Sequence, residues 1–67
     1  MQETIRKFSP DEIKIMRGKL GLSLDAFGER YDIHPNAVQR YEAGVTRPTL
    51  SRILVALMRA AKDADEA

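Results

Sequence analysis

The sequence predicts an all-α fold, a compact bundle of four to five helices. Three observations carry this reading. Apolar residues recur at spacings of three and four. Helix start and stop signals punctuate the chain at short intervals. No segment alternates polar and apolar residues as a half-buried strand would. With 67 residues, a single domain spanning 1–67 is expected. Residues 1–8 read as an N-terminal arm and 63–67 as a frayed acidic tail.

The first helix begins at FSPDEI. Ser9 can cap it, Pro10 suits the first helical position, and Glu12 completes a capping box. Phe8 and Ile13 have the spacing of a hydrophobic staple. Ile13, Met16 and Leu20 continue one apolar face, and Gly21 ends the helix. Ser23 caps the second helix, which runs to about Tyr31, with Leu22 and Phe27 as its staple. The third helix has Pro35 at its first position, Ile33 and Val38 as its staple, and its end at Gly44. Thr49 is expected to cap the fourth, whose stripe is Leu50, Ile53, Leu54, Leu57 and Met58. That helix is expected to fray after about Lys62.

Composition narrows the function. There is no cysteine, so neither a disulfide nor a thiolate metal site holds so small a core. There is no run of apolar residues long enough to span a membrane. MQETIRKF lacks an apolar signal region, and a cytoplasmic protein is expected. The net charge is only +1, but its distribution is uneven. All eleven basic residues and only seven of the ten acids lie in residues 1–62, a net +4. Residues 34–59 hold Arg40, Arg47, Arg52 and Arg59 against Glu42 alone. A modest basic surface follows.

The second and third helices are joined only by Asp32-Ile33-His34. So short a link forces a sharp crossing, and close backbones need a small residue. Gly28 supplies it, although glycine inside a helix costs about 1 kcal/mol relative to alanine. Phe27, Tyr31, Ile33, Val38 and Tyr41 are spaced to share one core around it. Together with the later Tyr41-Glu42-x-Gly44 and Pro48, this pattern resembles the helix-turn-helix of the Xre family, that of phage Cro and the lambda-type repressors. The resemblance covers about residues 13–58. Leu24 stands where relatives often carry a glutamine that touches phosphate; only its backbone N–H could do so here. Asp32 stands where relatives favour glycine, and Asp tolerates a left-handed conformation better than most residues.

If Val38 and Tyr41 face the core, then Pro35, Asn36, Gln39 and Arg40 face outward. The resemblance implies that this face, in helix 35–43, enters a major groove. Asn or Gln can pair with adenine and Arg with guanine, while Pro35 offers only apolar contact. His34 has two readings, a base or phosphate contact and a helix cap. By the same resemblance, Ser23, Leu24, Thr46 and Arg47 meet the DNA backbone, and Glu42 pairs with Arg17. Val55, Leu57 and Met58 read equally as core or as a dimer patch. The resemblance thus implies a DNA-binding regulator, a repressor acting as a homodimer on an inverted-repeat operator. The alternative is an antitoxin or similar module whose main partner is a protein. With one histidine, no cysteine and no phosphate-cradling loop, no enzyme, metal, cofactor or small-molecule ligand is expected.

Overall fold

The computed structural model describes residues 8–67. It contains four helices in the order α1 (Pro10–Leu20), α2 (Leu24–Tyr31), α3 (Pro35–Ala43) and α4 (Ser51–Glu66). Among the described residues there is no strand. The expected arm falls mostly on residues 1–7, outside the described residues. Phe8, its last expected member, is instead buried in the core.

The local signals act at the first three helices. Ser9 Oγ accepts from the Glu12 N–H at 3.1 Å, and Glu12 Oε1 accepts from the Ser9 N–H at 3.0 Å. Both partners of a capping box are therefore engaged. Ser23 Oγ accepts from the Ala26 N–H at 3.1 Å and starts α2. Proline occupies the first position of both α1 and α3, where its missing N–H costs nothing.

The fourth helix departs from expectation at both ends. It starts at Ser51 with Leu50 as its cap residue, and no side-chain bond caps it. Thr49 lies one residue too far out to reach the first free N–H groups. Only the Leu50 carbonyl engages, accepting from the Leu54 N–H at 2.9 Å. At the other end the helix does not fray at Lys62 but continues to Glu66. Ala60, Ala61 and Ala64 are buried and extend the core stripe of Ile53 and Leu57. α1 packs on α4 and α3, and α2 packs on α3. The small alanine side chains allow α1 and α4 to approach closely. Leu50 and Met58, expected on the core stripe, are exposed.

Asp63 has a specific reason to be ordered. The Tyr31 hydroxyl donates to Asp63 Oδ2 at 2.6 Å, joining the end of α2 to the last turns of α4. The Tyr31 ring is buried and tilted against Phe27, with centroids 4.9 Å apart. Burial raises the Tyr31 pKa above its ordinary value, and the Asp63 hydrogen bond and charge raise it further. The unfolded phenol ionises near pH 10, before the folded one. The stability linked to Tyr31 is therefore complete below about pH 10 and lost as pH rises through the folded pKa. Denaturant midpoints from pH 8 to 11 should fall less in Tyr31→Phe than in wild type. Equal alkaline losses would contradict the burial argument.

No helix among the described residues is long and apolar enough to cross a membrane.

Candidate nucleic-acid interface

The crossing of α2 and α3 is set by backbone geometry at two residues. Asp32 ends α2 in the left-handed region, at φ 57°. Its N–H and that of Ile33 both reach the Gly28 carbonyl. The chain thereby folds back onto α2, and the Ile33 carbonyl comes to rest against the Gly28 Cα. A Cβ built on Gly28 would collide with that oxygen and lie 3.2 Å from the Pro35 ring. Gly28 thus accommodates the returning turn itself as well as the helix crossing.

The turn orients α3. Val38 is fully buried and Tyr41 is half-buried against the core. Asn36, Gln39 and Arg40 are exposed on the other face. Their side chains have no hydrogen-bond partner among the described residues. Pro35 stands apart from this group. It is half-buried with its ring toward Gly28, so packing occupies it. His34 is the cap residue of α3, and its Nδ1 accepts from the Asn36 N–H at 3.1 Å.

A two-pronged ion pair holds α3 to α1. Arg17 Nε donates to Glu42 Oε2 at 2.7 Å, and Nη2 donates to Oε1 at 3.1 Å. The third guanidinium nitrogen, Nη1, donates to the Leu22 carbonyl at 3.0 Å. One arginine therefore ties together α1, the turn before α2, and the end of α3. The Glu42 hydrogen bond raises the Arg17 pKa, burial opposes it, and the Glu42 charge adds to it. The planar fork suits a bidentate carboxylate in a way lysine cannot match.

Beyond α3 the chain turns at Gly44, in the left-handed region at φ 77°. Its N–H reaches back to Arg40 and Tyr41, and the Val45 N–H donates to the Arg40 carbonyl at 3.0 Å. This is a helix-ending turn that glycine enters without steric cost. Val45, Thr46 and Arg47 follow it as an exposed loop. At the start of α2, Ser23 is exposed, whereas the Leu24 side chain packs partly against the core. Asp25 in that first turn is exposed and disfavours a phosphate beside it.

Charge differs between the start and the end of α3. On the α2 side, Asp25, Glu29 and Asp32 share an open groove of about 540 Å³ with His34 and Arg52. Arg52, expected only as part of the basic surface, donates to the Asp32 carbonyl at 3.2 Å and lies 4.0 Å from its carboxylate. That contact spans twenty residues, and no local motif signals it. Arg40 and Arg47 belong to the end of α3 and the loop that follows it.

The expected dimer patch needs one correction. Leu57 is fully buried in the core and cannot meet a partner, whereas Val55 and Met58 are 54% and 44% exposed. Leu50 is also exposed.

A search of curated proteins found no match. The profile of the helix-turn-helix family matches residues 13–57. The match spans α1, the α2–α3 crossing, the Gly44 turn and the first half of α4. The chain therefore belongs to the Xre-like helix-turn-helix family, the domain of Cro-type and repressor proteins, whose kind is the DNA-binding transcription regulator.

Proposed function

We propose that this protein is a cytoplasmic, sequence-specific repressor that binds an inverted-repeat operator as a homodimer, with α3 in the major groove. The observation that carries the reading is the outer face of α3. Asn36, Gln39 and Arg40 are exposed, and their side chains have no hydrogen-bond partner among the described residues, on a helix fastened by Val38 and the Arg17–Glu42 pair. Amide and guanidinium groups are those that pair with adenine and guanine edges. Thr46 and Arg47 contact phosphate and set register. Exposed Val55, Met58 and Leu50 support contact with a second copy. Repression requires only occupancy, since a seated dimer excludes other proteins from the same duplex.

Arg40→Ala and Arg47→Ala test this reading. Loss of a base contact at Arg40 should cost about 1–3 kcal/mol and relax preference at one position per half-site. Loss of a phosphate contact at Arg47 should weaken binding to all sequences alike. It should also lower the salt slope by about one per contact, hence about two for a dimer. Affinities for the operator and its single-base variants, measured across salt, separate the two roles. Unchanged preferences in Arg40→Ala would refute base reading there. Unchanged affinity and slope in Arg47→Ala would refute the loop contact.

A further inference from the structure

His34 holds α3 with one ring nitrogen and leaves the other open. Nδ1 accepts from the Asn36 N–H at 3.1 Å. A neutral imidazole that accepts at Nδ1 carries its proton on Nε2. The cap therefore selects the tautomer. Among the described residues Nε2 has no partner, and the residue is exposed at the entrance to α3. Serine or asparagine, the usual caps, are short and act close to the backbone. Imidazole instead places a donor on the far side of its ring from the helix.

We infer that His34 has two coupled roles: Nδ1 caps the recognition helix, and Nε2–H donates to a hydrogen-bond acceptor on the DNA. The inference rests on the DNA-binding reading and adds the chemistry at this position. The ligand atom must be an acceptor: a phosphate oxygen, a purine N7, guanine O6 or thymine O4. The amino group of cytosine or adenine, itself a donor, is excluded. Asp25, Glu29 and Asp32 line the same open groove as His34 on the α2 side. A phosphate or base edge must therefore approach from the opposite side.

The test has two arms. Nitrogen NMR of the imidazole at about pH 8.5, above the usual histidine range, should show Nε2 protonated and Nδ1 bare. Binding is then compared for wild type, His34→Asn and His34→Ala on the duplex selected by the wild type. Asparagine keeps the cap but is too short to place the donor. His34→Asn should melt with wild type and bind about three- to tenfold more weakly per recognition helix. His34→Ala should melt lower and bind more weakly still. A loss confined to one base pair identifies a base edge as the acceptor. A uniform loss with an unchanged salt slope identifies phosphate, because a neutral donor releases no counterion. A spectrum with the proton on Nδ1 would overturn the cap. Wild-type affinity in His34→Asn would overturn the contact while DNA binding stands. If wild type selects no duplex at all, the contact falls together with the DNA-binding reading, and the NMR spectrum still decides the cap.

Discussion

Gly28→Ala is expected to lower folding stability by about 3 kcal/mol. Helix propensity alone predicts the opposite sign, a gain of about 1 kcal/mol from replacing a mid-helix glycine. Packing decides against it. The new Cβ would meet the Ile33 carbonyl and crowd the Pro35 ring. Overpacking costs about 1–3 kcal/mol where side chains can yield, and more here, because the neighbour is backbone. That backbone is held by the Ile33 N–H bond to the Gly28 carbonyl at 2.8 Å, so relief requires the turn to open. A domain of this size has roughly 3–10 kcal/mol of total stability. The variant should therefore be marginally folded, with a far lower urea midpoint. A midpoint equal to or above wild type would show that the turn can move aside.

Glu42→Ala should cost about 2–3 kcal/mol, between the value of an exposed pair and that of a fully buried one. The Arg17 and Glu42 side chains are only 21% and 11% exposed, and the pair is bidentate. Removing the carboxylate leaves the guanidinium, among the described residues, only its bond to the Leu22 carbonyl. Because the pair joins α3 to α1, the variant should also bind operator more weakly, although the Glu42 carboxylate is turned to Arg17. Arg17→Lys should restore only part of the loss, since an ammonium cannot form the two-pronged contact. A melting temperature unchanged in Glu42→Ala would show that solvent already screens the pair.

The parts of the fold written in local chemistry were legible in the sequence. FSPDEI announces the start of α1 because the capping box lies within four residues, and Gly44 announces the end of α3 for the same reason. The extent of the inner face of α4 was less legible. Its expected stripe places Ile53, Leu54 and Leu57 correctly toward the core but includes Leu50 and Met58, which are exposed. The true inner face is completed by Ala60, Ala61 and Ala64, whose small side chains give little apolar signal. The DADEA tail was read from its charge, while the group that orders Asp63 lies thirty-two residues away at Tyr31. Gly28 was recognised as a close approach. The carbonyl that approaches it belongs to a turn whose path depends on Asp32 adopting a left-handed conformation. At the candidate site, exposure of Asn36, Gln39 and Arg40 follows from the inward spacing of Val38 and Tyr41. The withdrawal of Pro35 into packing depends on Gly28, seven residues away, whereas the cap at His34 is local, its partner being Asn36.

The central claim is that α3 reads DNA in a two-fold symmetric complex. Selection of bound duplexes from a random pool, followed by sedimentation of the winner with the protein, tests it most directly. The expected result is enrichment of an inverted repeat whose half-sites are centred about one helical turn apart, roughly 10 bp, occupied by two chains per duplex. A pool that stays random, or a full site saturated by one chain, would contradict it.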